Sequence, residues 1–245
     1  MSPATYRDEA FDQYLSSIYA HLRNDLSEAG LERSIGTYDR EFGAYLPDDR
    51  QAAILEIGCG SGGFLRLCKS LGYERVQGID ISQEQVDFCN RNGLPEVECS
   101  DGLSFLEGSP GRFDLILMSD VLEHCPKAEA LGLLRAIHGA LDVGGRVVVR
   151  VPNMSNPLNL RTRFVDITHE LGFTRSSLAQ VFELTGFTVD RVEGAVSRHS
   201  NPLARLVFDR FLWAAFRLLY RQVLWLDDEA LQGKNLIGVG RKASA

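Results

Sequence analysis

The stretch Ile54-Leu55-Glu56-Ile57-Gly58-Cys59-Gly60-Ser61-Gly62-Gly63-Phe64-Leu65 joins a short apolar run to a group of glycines and to a helical apolar pattern that continues at Leu67 and Leu71. This order is typical of a buried strand, a tight turn and the first turn of a helix. Glycine lets the backbone turn sharply and lets a ligand lie directly on the peptide groups. The N–H groups at the start of the helix then offer donors to a polar or acidic ligand. The stretch therefore predicts a ligand-binding turn.

The residues after this helix indicate what the turn binds. A second predicted strand, Arg75 to Ile79, ends at Asp80, about twenty positions after the glycines, where a carboxylate can bind a ribose diol. The spacing Gly58-x-Gly60-x-Gly62, with Glu56 two residues earlier, departs from the dinucleotide-binding pattern. It resembles motif I of the class I S-adenosylmethionine-dependent methyltransferases, and Gly78-Ile79-Asp80 resembles their next motif.

This resemblance covers residues 53–152 closely, and it implies both a fold and an activity. The implied fold is α/β, a Rossmann-like doubly wound sheet of seven strands, mostly parallel with an antiparallel last strand. The implied activity is methyl transfer from S-adenosyl-L-methionine, with Asp80 on the ribose and Asp101 on the adenine amino group. Asp101 could equally be the N-cap of a short helix. The predicted cofactor-binding residues are Glu56, Gly58, Gly60, Gly62, Asp80, Ile81, Asp101, Gly102 and Ser119.

The composition limits the class of protein. The 245 residues are 44% hydrophobic and 24% charged, which suits one α/β domain with additions. The net charge of −7 argues against a general nucleic-acid binder, which carries a basic surface. The five cysteines form no C-x-x-C pair, so reduced thiols and a cytoplasmic location are predicted. An apolar leader and a run of about 18 apolar residues are both missing, so neither a signal peptide nor a spanning helix is predicted.

The chain is predicted to consist of a helical cap over 1–50 and a methyltransferase domain over 51–245. In the cap, an apolar stripe from Phe11 to Leu26 predicts one helix, Gly30 is expected to end it, and a second helix is expected from Ile35 to Leu46. In the domain, strands alternate with helices, which predicts a parallel sheet covered on both faces. The segment 153–170 has no clear periodicity and predicts a lid loop.

A helical insert is predicted over 201–228, before the last strand. Between Leu203 and Leu226, the side chains of Arg210, Arg217 and Arg221 share one narrow arc of the helical wheel, with aromatic residues around them. Such a surface suits contact with a second copy of the chain or with the domain itself. It also suits peripheral contact with the inner face of a membrane, and the sequence leaves these alternatives open.

The acceptor is indicated by Asp166-x-Thr168-His169, followed by Phe173-Thr174. This pattern resembles a subgroup that contains quinone-biosynthesis O-methyltransferases and many glycan- or sugar-modifying methyltransferases. The predicted function is O-methylation of a sugar, a glycan or a lipid-linked small molecule, as in polysaccharide biosynthesis. A phenolic quinone precursor is the alternative acceptor, and a noncatalytic binding subunit is the alternative role. No nucleic-acid acceptor is expected, because Ser119-Asp120-Val121-Leu122 replaces the Asn-Pro-Pro-Tyr-like tetrad of amino-group methylases.

A hydroxyl acceptor needs a group that takes its proton, and histidine titrates in the useful range. His124 and His169 lie on the predicted rim of the active site and are the predicted catalytic residues. The alternative roles are a hydrogen bond to a backbone carbonyl for His124 and anchoring of the lid for His169. No metal is predicted as a cofactor. A magnesium site is the alternative, and its candidate ligands are Asp120, Glu123, His124, Asp166 and His169.

Overall fold

The computed structural model describes residues 10–11, 16, 25–156, 159–195, 218 and 233–243. Most of the predicted first helix of the cap lies outside this described part of the chain. The insert 201–228 also lies outside it, apart from Leu218. Whether that insert contacts lipid, a second copy or the domain therefore stays a prediction.

Seven strands form one sheet: β1 (Ile54–Ile57), β2 (Val76–Asp80), β3 (Val97–Cys99), β4 (Phe113–Ser119), β5 (Leu141–Pro152), β6 (Thr188–Ala195) and β7 (Asn235–Arg241). Their order across the sheet is β3-β2-β1-β4-β5-β7-β6. The first five strands pair in parallel, and β7 is antiparallel to both of its neighbours, β5 and β6. This arrangement confirms the predicted fold.

Seven α-helices are described: α1 (Glu28–Phe42), α2 (Gly63–Ser70), α3 (Gln83–Arg91), α4 (Gly102–Leu106), α5 (Lys127–Ala140), α6 (Leu160–Phe164) and α7 (Arg175–Leu184). Two short 3-10 helices, Gly43–Tyr45 and Leu122–His124, follow α1 and β4. Within the described residues, every helix is too short or too polar to cross a lipid bilayer.

The core lies on both faces of the sheet, because alternate side chains of a strand point to opposite faces. In β4, Leu115 and Leu117 belong to one apolar cluster, and Ile116 and Met118 belong to the other. All four residues of β1 are buried between β2 and β4. The near-continuous apolar runs of these strands are those of a parallel sheet covered by helices on both sides. The carboxyl ends of β1, β2 and β4 therefore meet at one edge.

Two predicted features of the connections are wrong. Gly30 does not end a helix, because α1 begins at Glu28 with Ser27 as its N-cap and continues through Gly30. A Cβ atom at Gly30 would overlap the backbone oxygen of Asp25, so this glycine permits a close approach of the chain. The segment 153–170 is not wholly a loop, since it contains the one-and-a-half-turn helix α6.

The start of β5 also differs from the prediction. The sequence predicts a turn at Gly144-Gly145 and a strand from Arg146, whereas the strand begins at Leu141. Leu141 pairs with Phe113, and regular pairing resumes at Arg146 with Leu115. Gly144 has a φ of 82°, so the glycine pair forms an irregularity within the strand and does not precede it.

Candidate active site

A cavity of about 680 Å³ lies at the carboxyl ends of β1, β2 and β4. This volume is within the roughly 300–1,000 Å³ that is usual for small-molecule sites. Helix α1 covers one side through Leu31, Ser34 and Tyr38, and Phe11 contributes from the N-terminal segment. The position agrees with the rule that ligands of open α/β sheets bind beyond the carboxyl ends of the strands.

The glycine turn between β1 and α2 forms one wall of this cavity. Gly58, Gly60 and Gly62 have φ values of 70°, 52° and 78°, a region that favours glycine. A Cβ at Gly58 would overlap Val121, and one at Gly62 would overlap Leu94. A Cβ at Gly60 would meet no atom within 4 Å. The turn thus needs two of its glycines for packing, and it keeps open space above the third.

Asp80 fixes the turn from the end of β2. Its two carboxylate oxygens accept hydrogen bonds from the backbone N–H of Gly60 at 2.8 Å and of Ser82 at 2.9 Å. Burial raises the pKa of Asp80, and these N–H donors partly offset that effect. Because each oxygen retains a second lone pair, the carboxylate can still accept hydrogen bonds from a ribose diol.

The other predicted cofactor-binding residues divide into two groups. Gly58, Gly60, Asp80, Ile81, Asp101, Gly102 and Ser119 all line the cavity. Glu56 and Gly62 do not. Glu56 is buried beneath the turn, and burial together with Cys89 and Asp80 raises its pKa well above the usual range. Its side chain is not part of the cavity lining, and its Oε2 has no hydrogen-bond partner among the described residues.

Asp101 is the N-cap of α4, which was the alternative role given to it by the sequence. Its side chain accepts a hydrogen bond from the backbone N–H of Ser104 at 3.0 Å. Partial burial acts to raise the pKa of Asp101, but the hydrogen bonds from Ser104 and Leu103 outweigh it and the pKa is lowered. Since Asp101 also lines the cavity, capping the helix leaves it able to contact a ligand.

Sequence reasoning missed an ionic group at the cavity floor. Arg150, on β5, forms ion pairs with Asp120 at the end of β4 and with Glu41 on α1. Asp120 has a φ of 58°, and it is the one non-glycine residue with a positive φ among the described residues. Its backbone N–H donates to the Arg150 carbonyl at 3.0 Å. Asp120 thus pairs with Arg150 from a backbone conformation that is rare outside glycine. This ionic group could not be recognised in the sequence, because Glu41 and Arg150 lie far apart along the chain.

The two predicted catalytic histidines contact each other in the lining of the same cavity. The ring centroids of His124 and His169 lie 4.7 Å apart, and Phe11 contacts His124 edge-on with centroids 5.9 Å apart. Nδ1 of His124 shares a 2.8 Å hydrogen bond with Thr168 Oγ1, whose hydroxyl donates to Asp166 at 2.6 Å. Burial and the neighbouring His169 lower the pKa of His124 to about 4, so this imidazole is neutral at neutral pH.

Glu123 lies beside the histidines, and it was not predicted as a catalytic residue. Its side chain is 1% exposed, and neither carboxylate oxygen has a hydrogen-bond partner among the described residues. Burial and the charge of Asp120 raise the pKa of Glu123 well above its usual range. Of the five candidate magnesium ligands, only Glu123, His124 and His169 bring ligand atoms together, within 4.8 Å of one another. Asp120 instead pairs with Arg150, and Asp166 binds Thr168.

The donor end of the cavity fits S-adenosylmethionine. Open space above Gly60 admits a ligand onto the backbone, and the Asp80 carboxylate faces that space. Ile81, which is 48% exposed, offers an apolar surface for a flat ring, and Asp101 is also part of the cavity lining. These features are the ones that a nucleoside bearing a diol and a ring amino group requires.

Comparisons with known proteins agree with this geometry. A family model described as "Methyltransferase domain" matches residues 15–192. The chain is 28% identical over 174 residues to an uncharacterized protein of Rickettsia prowazekii, and this match covers 66% of this chain and 31% of that protein. It is 26% identical over 158 residues to a ubiquinone biosynthesis O-methyltransferase of Burkholderia vietnamiensis, and this match covers 55% of this chain and 67% of that protein.

The fold has many solved counterparts. A SAM-dependent methyltransferase from Archaeoglobus fulgidus superimposes with a TM-score of 0.66 at 22% identity, covering 86% of this chain and 94% of that one. At this identity the likeness concerns the fold alone. The chain spans about a third of the Rickettsia protein and about two thirds of the Burkholderia protein that it matches.

Proposed function

Because the chain belongs to the methyltransferase-domain family of class I S-adenosylmethionine-dependent methyltransferases, we propose that its cavity methylates a hydroxyl oxygen of a small-molecule acceptor. One observation carries the proposal. A single cavity is lined both by the donor-type wall of Gly60 and Asp80, called the donor end, and by the imidazoles of His124 and His169, called the acceptor end. A donor and an acceptor bound in this cavity would lie next to each other, which is the main requirement of methyl transfer.

The chemistry divides between the two ends. When bound, the donor supplies a methyl group on a positively charged sulfur, and the acceptor oxygen forms the new C–O bond as the C–S electron pair stays on sulfur. Asp80 and the glycine turn hold the nucleoside, which fixes the direction of approach. His124 and His169 contact the acceptor hydroxyl, and an imidazole nitrogen there takes its proton. Thr168 and Asp166 fix the orientation of the His124 ring.

The acceptor that these contacts favour first is a phenol. Phe11 contacts the His124 ring, Val121 and Val165 add to the apolar lining of the cavity, and an aromatic ring packs well against such surfaces. The similarity to ubiquinone biosynthesis O-methyltransferases supports the same class. A sugar or lipid-linked glycan, which the sequence favoured first, is the second candidate. Its support is the polar part of the lining, which includes Arg33, Thr37 and Lys234.

Donor binding is the first test. Calorimetric titration with S-adenosylmethionine and S-adenosylhomocysteine should show one site, with NADH as a negative control. Asp80→Asn should weaken both affinities by about 10- to 100-fold, because a charge-assisted hydrogen bond contributes about 1.5–3 kcal/mol. Asp190→Asn is the matched control, since Asp190 pairs with Arg241 on the far side of the sheet. Absence of binding to both sulfur compounds would refute the proposal.

Acceptor screening follows. Methyl transfer from labelled donor should be measured against a panel of catechols and other phenols and a panel of free and lipid-linked sugars. Turnover with phenols alone would support the first candidate, and turnover with sugars alone would replace it with the second. A chain that binds the donor and turns over neither panel would favour the noncatalytic binding role. A cytoplasmic location, and contact of 201–228 with a membrane or a second copy, stay predictions.

A further inference from the structure

We propose that Gln85 is a second hydrogen-bond acceptor for the ribose of the methyl donor, so that Asp80 binds one hydroxyl of the diol and Gln85 binds the other. The inference rests on the proposed function, because it concerns the nucleoside of S-adenosylmethionine. Gln85 is the third residue of α3 and is part of the cavity lining. It was not among the cofactor-binding residues predicted from the sequence.

The position of Gln85 on α3 is the first argument. Gln85 and Cys89 are both buried and lie four residues apart, so they share one face of the helix. On that face, the thiol of Cys89 donates a hydrogen bond to the carbonyl oxygen of Gly60 at 3.2 Å. At the start of the helix, the backbone N–H of Ser82 donates to the carboxylate of Asp80 at 2.9 Å. The face that carries Gln85 therefore packs against the two groups that form the donor end.

The unsatisfied amide of Gln85 is the second argument. The residue is 2% exposed, and its Oε1 is buried without a hydrogen-bond partner among the described residues. Such an oxygen lowers stability, and an apolar side chain of the same length would fill the space without that loss. Packing alone therefore does not account for an amide here. Because the last torsion of a glutamine side chain is broad and roughly two-fold, the amide can turn Oε1 toward the cavity.

Ser82 offers a comparison three residues earlier. Its Oγ is also buried without a partner among the described residues, and its side chain makes no capping hydrogen bond to α3. Ser82 is not part of the cavity lining, whereas Gln85 is. Of these two unsatisfied groups at the start of α3, Gln85 is therefore the one that a bound ligand can contact.

The chemistry of the diol connects Gln85 with Asp80. A ribose has two hydroxyl groups on neighbouring carbons, and each can donate one hydrogen bond. Each oxygen of Asp80 already accepts one backbone N–H, from Gly60 or from Ser82, and retains one further lone pair. When one hydroxyl donates to Asp80 and its neighbour donates to Gln85, both hydroxyls and the Gln85 oxygen are satisfied. The donor end then selects a ribose over a deoxyribose through two residues.

The test begins with calorimetric titration of S-adenosylhomocysteine. Gln85→Met keeps the length of the side chain but removes the amide, and it should weaken binding by about 2- to 10-fold, the usual effect of one neutral hydrogen bond. Gln83→Met is the matched control, because Gln83 is an exposed residue of the same helix whose Nε2 donates to Asp87 at 2.7 Å. Thermal unfolding should show Gln85→Met to be at least as stable as wild type, and Gln85→Leu provides a second variant without the amide.

The 2′-deoxy and 3′-deoxy analogues of S-adenosylhomocysteine complete the test. Wild type should bind each analogue more weakly than the parent compound. Gln85→Met should lose the discrimination against one analogue, whose missing hydroxyl is the partner of Gln85, and should keep it against the other. Wild-type affinity in Gln85→Met, or unchanged discrimination against both analogues, would overturn the inference and leave the proposed function intact. A wild-type chain that does not bind S-adenosylhomocysteine would refute the proposed function and this inference with it.

Discussion

The donor end and the acceptor end of the cavity differ in how the protein holds their carboxyl groups. At the donor end, both oxygens of Asp80 accept hydrogen bonds from backbone N–H groups, although Oγ of Ser82 and Oε1 of Gln85 at the start of α3 are buried without a partner among the described residues. At the acceptor end, both oxygens of Glu123 and Nδ1 of His169 are buried without partners among the described residues. The difference teaches that the carboxylate of Asp80 is held in place by the protein backbone, whereas no hydrogen bond among the described residues holds the carboxyl group of Glu123.

The two ends also differ in how the chain builds them. The donor end comes from one continuous strand-turn-helix segment and the adjacent tip of β2, and glycine φ values determine its shape. The acceptor end joins His124, which follows β4, to Thr168 and His169, which follow α6. Changes at the donor end should therefore alter donor affinity and stability, while changes at the acceptor end should alter turnover.

The largest expected effect separates the two ends most sharply. His169→Gln should reduce kcat by about 10²- to 10⁴-fold, the usual contribution of a group that activates the acceptor. The affinity for S-adenosylhomocysteine should stay at the wild-type value, because His169 lies outside the donor wall. Steady-state kinetics and calorimetry measure the two quantities. A parallel loss of donor affinity would show that the ends are not independent.

A glycine pair tests the donor end with a built-in control. Gly60 and Gly72 both have positive φ, 52° and 86°, and a Cβ at either would meet no atom within 4 Å. Alanine at each position should cost about 1–2 kcal/mol of folding free energy through backbone strain. Only Gly60→Ala should also weaken S-adenosylmethionine binding, by at least tenfold, since its methyl group occupies the open space above the turn.

Denaturant titration and calorimetry on the two variants decide this prediction. If Gly60→Ala binds the donor as well as Gly72→Ala does, the open space above Gly60 is not part of the donor site.

The ion pair between Arg150 and Glu41 tests how strongly helix α1 is held against strand β5. Glu41→Gln removes the carboxylate that joins α1 to Arg150, and it should reduce stability by about 1–2 kcal/mol, less than a fully buried pair because both side chains are partly exposed. Thermal unfolding measures the loss. Glu28→Gln, in the first turn of the same helix, is the matched control and should change stability far less. Equal losses of stability for Glu41→Gln and Glu28→Gln would show that the ion pair with Arg150 does not stabilise the contact of α1 with β5.

The smallest expected effect concerns Asp101. Its lowered pKa means that the folded state favours the ionised form, so this contribution to stability is present above the ordinary pKa of about 3.8 and is lost as pH falls through the lower folded pKa. Asp101→Ala removes the N-cap and should cost about 1 kcal/mol at neutral pH.

Below that pH window, the stability difference between wild type and Asp101→Ala should shrink. Asp101→Asn keeps a capping side chain and should lose much less. A difference that stays constant from neutral to acid pH would contradict a charged cap.

The sequence-based predictions succeeded where a feature is built from one continuous segment and failed where it joins distant segments. The strand, the turn and Asp80 were found because their signals are local, and the alternation of apolar runs was sufficient for the sheet. The Arg150 ion pairs were missed because Arg150 is on β5 while its two partners lie on α1 and directly after β4, and nothing along the chain relates them. Gly30 was misread because a helix interior can contain a glycine where another segment approaches closely. The five candidate metal ligands could not be separated, because residue type alone does not show which side chains pair elsewhere.

The position of β7 has a consequence for how the chain folds. This strand lies between β5 and β6, yet it follows β6 by about forty residues in the sequence. During synthesis, β6 has no neighbour in the sheet until β7 has left the ribosome, so closure of the sheet is a late and nonlocal event. A chain that stops before Asn235 would expose the edges of both β5 and β6. Because unpaired edges promote association between chains, we expect aggregation of such a product.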